Sequence, residues 1–358
     1  MPSTYGVDDI PIVLQDRQFD EDGSFRFAVN QGAIYGDTIL VNGTWSPFLN
    51  VEARLVRFRL LNGSNARIYY IGFDDERAFH QIATDGGFLD MAHETNRVIL
   101  APGERAEILV DFSDGADVVL KSFPEAGLLE TIGSFFGGIG SGHLNLLKIV
   151  PEPANRVSHS LPRLLNDITR IDPSHAAKSR PMVLAGPITE GLGRPGGPRQ
   201  RGRGRGNRAL GLPINGKLMD MGRIDEVVRL GDIEIWEVRN RGGQPHPFHV
   251  HLVQFQILDR NGDPVTGVES GWKDTVLVHP GELVRIIMRF ERYADPETPY
   301  MYHCHIMEHE DNGMMGQFLV VKEPKHFRSL TWRLPENGEI SGSADGLHAQ
   351  RVDLIDLH

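Results

Sequence analysis

The chain has 358 residues, a formal net charge of −11 at pH 7, and hydrophobic residues at 40% of its positions. This length predicts two domains, and the acidic charge argues against a general affinity for nucleic acid. No charged and then apolar N-terminal stretch is present, and no apolar run reaches about 18 residues, so we expect neither a signal peptide nor a membrane span.

Two copies of one β unit follow each other along the chain. Residues 102–112 recur as residues 280–290, an offset of 178 residues. At the same offset Asn62 corresponds to Asn240, and each asparagine closes a predicted strand. Both copies alternate apolar and polar residues and contain Asn-Gly pairs, which are typical of strands joined by tight turns: Asn42-Gly43, Asn62-Gly63, Asn215-Gly216 and Asn261-Gly262. We therefore predict an all-β fold of two β-sandwiches.

The repeat sets the predicted domain limits. Residues 1–150 form the first domain, residues 151–180 a polar linker with at most a short helix, and residues 181–325 the second domain. Residues 191–208 are rich in Arg and Gly and break all periodicity, so we predict a disordered loop. Such a loop can bind RNA, but its arginines lack interleaved aromatic residues and the chain is acidic. Residues 326–358 are predicted to be a tail with at most one extra hairpin.

Residues 302–314, Tyr-His-Cys-His-Ile-Met-Glu-His-Glu-Asp-Asn-Gly-Met, carry the strongest functional signal. Cys304 is the only cysteine, which excludes an internal disulfide. A thiolate, an imidazole five residues later at His309 and a thioether ten residues later at Met314 are ligands of a trigonal blue-copper site, provided that a second histidine joins them. The alternatives are a histidine-rich surface loop and a zinc site, and zinc has no use for the thioether.

Residues 246–251, His-Pro-Phe-His-Val-His, supply further histidines. In a strand, His303 and His305 share one face while Cys304 points to the other. His249 and His251 are also two residues apart and can join the histidines of that shared face. One strand can therefore contact two metal sites, and we predict one mononuclear copper site and half of a multinuclear one.

His246 lies outside the alternation that relates the other histidines of its segment. It is therefore the histidine that can meet Cys304, His309 and Met314. These four residues are the predicted ligands of the mononuclear site.

The two motifs resemble the C-terminal copper signatures of the multicopper oxidases, the family of laccases, bilirubin oxidases and bacterial cuprous oxidases. The resemblance implies cupredoxin-like Greek-key β-sandwiches and a type 1 copper that takes electrons from the substrate through four ligands: His246, Cys304, His309 and Met314. It assigns the oxygen-reducing coppers as follows: His249 to the type 2 copper, and His251, His303 and His305 to the type 3 pair. Glu310, beside a ligand, resembles the family's proton-relay carboxylate, and a solvated acid is the equal alternative. The predicted catalytic residues are Cys304, His309 and Glu310.

The resemblance covers about residues 5–321 and only the second and third domains of the family. Residues 5–11, 83–87 and 271–275 resemble the bacterial periplasmic branch, which implies a periplasmic location. The family's trinuclear cluster needs eight histidines, and four of them come from an N-terminal domain. Those four form two His-x-His pairs. Among the 15 histidines here, only His249/His251 and His303/His305 are spaced in this way. The chain therefore looks like a truncated or internally initiated form. Its first sandwich is expected to border the metal site and to bind no metal itself.

Two functions of different class remain open. The first is an oxidase that couples one-electron oxidation of phenols, aromatic amines or metal ions to reduction of O2 to water, with the missing domain supplied by another subunit or a longer gene product. We expect its electron donor to dock beside an exposed histidine ligand. The second is a single blue-copper fragment that transfers electrons or binds copper. A third interpretation is that the chain is an unstable fragment without function. Residues 242–245 lack the Asp and Met of a cuprous-ion site, which favours organic donors.

Overall fold

Four β-sheets form two sandwiches, and this architecture confirms the all-β, cupredoxin-like prediction. The computed structural model describes residues 1–26, 33–124, 143–153, 161, 163–186 and 211–323. The strands of the first sandwich are β1 (Asp9–Arg17), β2 (Thr38–Val41), β3 (Thr44–Trp45), β4 (Phe48–Glu52), β5 (Leu55–Asn62), β6 (Tyr69–Phe73), β7 (Phe79–Thr84), β8 (Gly87–Thr95), β9 (Val98–Leu100), β10 (Arg105–Asp111), β11 (Val118–Ser122) and β12 (Leu144–Glu152).

The second sandwich repeats the design with a short helix added near its C-terminal end. Its strands are β13 (Lys178–Leu184), β14 (Glu226–Arg229), β15 (Ile233–Asn240), β16 (His246–Val250), β17 (Phe255–Arg260), β18 (Asp263–Pro264), β19 (Thr275–Val278), β20 (Leu283–Arg289), β21 (Asp295–Cys304) and β22 (Met315–Val321). The helix α1 (Met307–Asp311) lies between β21 and β22, and two 3-10 helices span Pro173–His175 and Gly267–Ser270. None of the helices in the described residues is long and apolar enough to cross a membrane.

Each sheet combines one parallel strand pair with antiparallel pairs. The sheets run in the orders β3-β2-β1-β5-β10-β7-β8, β4-β12-β11-β6-β9, β13-β15-β20-β17-β18 and β14-β22-β21-β16-β19. The parallel pairs are β1 with β5 and β4 with β12 in the first sandwich, and β13 with β15 and β14 with β22 in the second. The matching parallel pairs are the structural form of the sequence repeat.

Each sandwich buries its apolar residues between its two sheets. Phe58 of β5 and Tyr69 of β6 are fully buried in the first core. In the second core the Trp236 ring lies 5.4 Å from the ring of Tyr302 and 6.4 Å from that of Phe248. Burial of a large apolar side chain stabilises a fold by about 1.5–3 kcal/mol. Because Phe248 lies on β16 and Tyr302 on β21, this core also fixes the two strands that carry the histidine motifs.

The asparagines related by the repeat make the same contacts. The buried Nδ2 of Asn62 donates to two backbone carbonyl oxygens at 2.7 and 2.8 Å, and that of Asn240 does so at 2.7 and 3.0 Å. The predicted tight turn at Asn62-Gly63 is therefore wrong, because the asparagine is used to brace the chain between β5 and β6. The other three pairs have positive φ at both residues, as tight hairpin turns require: Asn42-Gly43, Asn215-Gly216 and Asn261-Gly262.

The predicted domain limits of 1–150 and 181–325 remain predictions. Strand β12 ends at Glu152 and β13 begins at Lys178, so the strands reach slightly into the predicted linker from both sides. In the described part of the linker the 3-10 helix Pro173–His175 is the only helical turn. The predicted loop at 191–208 and the predicted tail at 326–358 lie outside the described residues.

An ionic cluster joins the two sandwiches. Lys273 Nζ lies 3.0 Å from Asp85 Oδ2 and 3.2 Å from Glu104 Oε1. Arg105 donates to both carboxylate oxygens of Asp274, at 2.7 and 2.6 Å. Because Lys273 and Asp274 directly precede β19, and β19 pairs with β16, the first sandwich is fixed against the strand that carries His246 and its neighbours.

Candidate metal centre

Three donor atoms converge in the core of the second sandwich. Cys304 ends β21, His246 begins β16, and His309 lies in α1. Cys304 Sγ lies 3.5 Å from Nδ1 of each histidine, and the two Nδ1 atoms are 3.1 Å apart. The exposed fractions of these residues are 0, 2 and 1%, respectively. The structure thus brings together three of the four residues predicted for the mononuclear site, and we call them the buried trio.

The buried trio fits a metal ion. By plane geometry, the point equidistant from three atoms at these separations lies about 2 Å from each, close to metal–nitrogen bond lengths in proteins. Two imidazoles and a thiolate are the in-plane ligands of a blue-copper site. Met314 is fully buried in the same core. Its backbone links both segments, because its carbonyl oxygen accepts from Cys304 N at 3.1 Å and its N–H donates to His309 O at 2.9 Å.

The expected exposed histidine ligand is wrong for the described residues, since His246 and His309 are both buried. The reason lies in the attachment of α1, which carries His309. The carbonyl oxygen of Asn65 accepts from Met307 N at 3.0 Å, and Asn65 Nδ2 donates to Glu308 Oε1 at 3.0 Å. These bonds fasten the helix to the first sandwich and turn His309 inward.

Four histidines form a second cluster, the histidine cluster, beside the ends of β16 and β21. Metal-binding atoms of His249, His251 and His303 all lie within 4.8 Å of one another. The Nε2 atoms of His251 and His303 are 3.2 Å apart. The ring of His305 lies 5.6 Å from that of His249 and 5.5 Å from that of His303. The predicted grouping of these four residues therefore matches their positions.

The prediction that His246 lies outside the strand alternation of its segment is wrong. It is the first residue of β16, and His249 lies three residues further along the same strand. Because strand residues an odd number apart face opposite ways, the two histidines point to opposite faces of the sheet. Alternation alone therefore separates the buried trio from the histidine cluster.

Hydrogen bonds fix the tautomers of two cluster histidines. Nδ1 of His303 lies 2.9 Å from the carbonyl oxygen of Cys304, and Nδ1 of His249 lies 2.9 Å from that of Asp274. A carbonyl oxygen only accepts, so each Nδ1 carries the proton. Each Nε2 then presents its lone pair, the form in which a histidine binds a metal.

Glu310 lies against the histidine cluster and reaches solvent. Its Oε2 is 3.3 Å from His303 Nδ1, and 29% of its side chain is exposed. The hydrogen bond with His303 lowers the pKa of Glu310, although partial burial opposes this. The carboxylate is therefore in place both to orient His303 and to exchange protons with water.

Burial keeps the donor groups neutral in the metal-free chain. It lowers the pKa of His246 to about 3, with a smaller contribution from His309. It also lowers the pKa of His249 to about 4 and lowers the pKa of His251 and His305. Burial raises the pKa of the Cys304 thiol, so formation of the thiolate needs a compensating cation. Neutral imidazoles in such a setting are ready to bind a metal.

These pKa values predict that the metal-free chain loses stability as the pH falls. The folded-state pKa of His246, about 3, lies below its unfolded value, so the unfolded chain binds more protons between about pH 6.5 and pH 3. The stability is complete above this window and falls by about 1.4 kcal/mol per pH unit for a fully buried histidine. Urea unfolding at several pH values measures the slope. His246→Gln is expected to reduce it, whereas replacement of the exposed His175 leaves it unchanged; an equal slope in all three proteins contradicts the prediction.

Gly103 also contributes to the site, although its sequence context does not predict this role. Gly103 has φ +83°, and a Cβ there would lie 2.5 Å from Cδ2 of His305. Only glycine therefore permits this close approach of the first sandwich to the histidine cluster. A Cβ added at Gly281, the counterpart of Gly103 in the repeat, would meet nothing within 4 Å. The repeated Pro-Gly-Glu turn is visible in the sequence, but the contact with His305 is not.

Comparisons with known proteins agree with the site. Residues 195–324 match the family model described as multicopper oxidase. The chain is 35% identical over 325 residues to cell division protein FtsP of Dickeya dadantii (strain 3937), covering 89% of this chain and 62% of that protein. It is 32% identical over 324 residues to multicopper oxidase mco of Staphylococcus haemolyticus (strain JCSC1435), covering 89% and 60%. The chain thus spans less than two thirds of the length of these curated relatives.

Solved structures are similar over nearly the whole chain. The laccase-like multicopper oxidase CueO from Ochrobactrum sp. has a TM-score of 0.75 and 33% identity, covering 90% of this chain and 68% of that one. It is described as having oxidase activity towards lignin model compounds and lignosulfonate. McoA from Aquifex aeolicus has a TM-score of 0.74 and 32% identity, covering 89% and 67%.

Proposed function

Because the chain belongs to the multicopper oxidase family, we propose that it acts as a laccase-like, copper-dependent oxidoreductase. Its substrates are phenols, aromatic amines or metal ions that give up single electrons, and dioxygen is reduced to water. Copper bound at the two clusters supplies the one-electron redox chemistry. A periplasmic location is part of the proposal and rests on the resemblance of residues 5–11, 83–87 and 271–275 to the bacterial periplasmic branch.

One observation carries the proposal, namely the direct connection between the buried trio and the histidine cluster. In the register of β16 and β21, Phe248 faces Cys304 and His249 faces His303. His303 and Cys304 are consecutive residues that point to opposite faces of the strand. A single peptide link therefore joins the thiol of one donor set to an imidazole of the other. This is a short covalent route for electrons through a buried part of the protein.

The residue roles follow the motif resemblance. We assign His246, Cys304, His309 and Met314 to a type 1 copper. We assign His249 to a type 2 copper, and His251, His303 and His305 to a type 3 pair. A complete trinuclear cluster needs further histidines, which we propose come from an N-terminal domain or another subunit.

The second candidate function is electron transfer or copper binding by the buried trio alone, without oxygen reduction. The observation that favours it is the histidine count, because only His249/His251 and His303/His305 have the spacing of cluster ligands among the 15 histidines. The cell-division role in the name of the Dickeya relative is a third candidate that none of the described residues favours.

Copper content, the visible spectrum and oxygen consumption together test the proposal. The purified chain is loaded with copper and supplied with a phenolic donor. About four coppers per chain, an intense band towards the red end of the spectrum and oxygen uptake support the oxidase. About one copper with the band and no oxygen uptake supports the one-copper function for this chain without a partner. Absence of the band overturns both functions.

Replacing Met314 with Leu is expected to raise the reduction potential of the buried trio's copper by tens of millivolts, while copper stays bound. The axial thioether is a weak donor to the oxidised ion, and its loss disfavours that oxidation state. Redox titration of the red absorption band measures the change. The matched control is Met288→Leu, since Met288 is equally buried but is not a predicted ligand. An unchanged potential in Met314→Leu shows that this residue is not axial.

Replacing Glu310 with Gln is expected to slow oxygen consumption at least 10-fold without changing copper content or the red band. A positioned carboxylate in general acid–base catalysis typically contributes 10²–10⁴-fold, and the amide cannot accept a proton. The exposed Asp311 is the matched control, and Asp311→Asn keeps the wild-type rate. If Glu310→Gln consumes oxygen at the wild-type rate, the carboxylate is only a solvated acid.

A further inference from the structure

We propose that Arg105, a residue of the first sandwich, is a positioning residue that holds His249 with its proton on Nδ1 and its Nε2 available to a metal. This inference deepens the proposed function and rests on it for the role of His249. Its central measurement concerns the metal-free chain, so it can fail or succeed independently of oxidase activity.

The guanidinium of Arg105 is held by four hydrogen bonds. It donates to Asp274 Oδ1 at 2.7 Å and to Oδ2 at 2.6 Å. It also donates to the carbonyl oxygens of Gly103 at 3.1 Å and Asp85 at 2.9 Å. Bidentate pairs of this kind fix geometry as well as charge. Asp274 is thus locked in position from the first sandwich.

The direction of each following hydrogen bond is determined by chemistry. The carboxylate of Asp274 only accepts, so Thr275 Oγ1, 3.0 Å from Asp274 Oδ1, donates its proton there. Thr275 is fully buried, and its oxygen accepts from His249 Nδ1 at 3.0 Å. The carbonyl oxygen of Asp274 accepts from the same Nδ1 at 2.9 Å. Arg105 therefore acts on His249 through two neighbouring residues, and Nδ1 must be the donor.

Two observations indicate that this contact serves the site in addition to joining the two sandwiches. The repeat places Leu283 at the position of Arg105 in the second sandwich, so the β unit itself does not require an arginine. The Arg105 side chain is also 36% exposed, and ion pairs with such exposure contribute only about 0–1 kcal/mol to stability. The arginine occurs in the copy that faces the histidine cluster.

The test uses the metal-free chain with ¹⁵N-labelled histidine rings, and the His249 signals are assigned from His249→Gln. The wild type is expected to show Nδ1–H at His249. Arg105→Gln, which releases Asp274 and with it the carbonyl oxygen, is expected to populate the Nε2–H tautomer. Thr275→Val leaves that carbonyl oxygen in place and is expected to do so to a smaller extent, whereas Thr275→Ser, which keeps the hydroxyl, keeps the wild-type signal. The matched control is Arg285→Gln, because Arg285 also pairs with an aspartate at similar exposure but lies away from the cluster.

Copper titration gives the second readout. Outer-shell partners of metal-binding histidines typically change metal affinity 10–100-fold. Arg105→Gln should therefore lower the affinity for Cu²⁺ beyond the equivalent that produces the red band by about 10-fold or more. A His249 signal that stays Nδ1–H in both Arg105→Gln and Thr275→Val overturns the proposal. A changed His249 signal in the variants, together with a wild-type chain that consumes no oxygen, overturns the oxidase function of this chain without a partner and leaves the positioning role standing.

Discussion

Replacing Cys304 with Ser is expected to abolish the intense red absorption and to remove about one copper per chain. Cys304 Sγ lies 3.5 Å from both His246 Nδ1 and His309 Nδ1. A serine hydroxyl is a harder and much less acidic donor than a thiol, so it cannot form the covalent copper–thiolate bond that produces the band. Visible spectroscopy and metal analysis of the copper-loaded chain measure both effects.

The matched control for Cys304→Ser is His251→Gln, which alters the histidine cluster only. It should keep the red band and lose copper beyond the first equivalent. The two variants separate the donor sets because Cys304 and His251 lie on opposite faces of the paired strands. Persistence of the band in Cys304→Ser contradicts the assignment of this residue, and loss of the band in His251→Gln contradicts the separation of the two sets.

The fold could be predicted because local and repeated patterns specify it. Alternation and Asn-Gly pairs indicate short strands, and the offset between Asn62 and Asn240 indicates two copies of one unit. The structure shows the two asparagines bracing equivalent connections. The pair Asn62-Gly63 has the composition of a tight turn, but its asparagine is buried and neither residue has the positive φ of the other three pairs. Burial depends on packing, which a local pattern does not contain.

The donor residues of the site could be predicted because they lie in two short segments. The contacts that surround these donor residues could not be predicted. Arg105 and Asp274 are 169 residues apart in the chain, and neither has a sequence signature that pairs it with the other. The expectation of an exposed histidine ligand fails for the same reason, because Asn65 of the first sandwich fastens the helix that carries the buried His309. Contacts between the sandwiches therefore decide how the predicted donors are held.

Those contacts predict a large loss of stability when Lys273 is replaced with Met. The side chains of Lys273, Asp85 and Glu104 are 11, 0 and 7% exposed, and the ammonium lies within 3.2 Å of both carboxylates. Burial alone would lower the pKa of Lys273, but the two carboxylates raise it, so the lysine is charged at neutral pH. Its removal leaves two carboxylates buried between the sandwiches without their cation, which costs about 3–5 kcal/mol.

Urea unfolding at neutral pH measures this loss, and Lys148→Met is the matched control. Lys148 pairs with Asp117 at 3.0 Å, but both side chains are more than half exposed, so its replacement should cost no more than about 1 kcal/mol. Burial raises the pKa of Glu104 in the wild type. Without the lysine that carboxyl should protonate more readily still, so the deficit of Lys273→Met should shrink as the pH is lowered towards 5. Equal losses in the two variants, or a deficit that grows with acid, would show that the cluster does not join the sandwiches energetically. The first sandwich would then contact the metal centre without stabilising it.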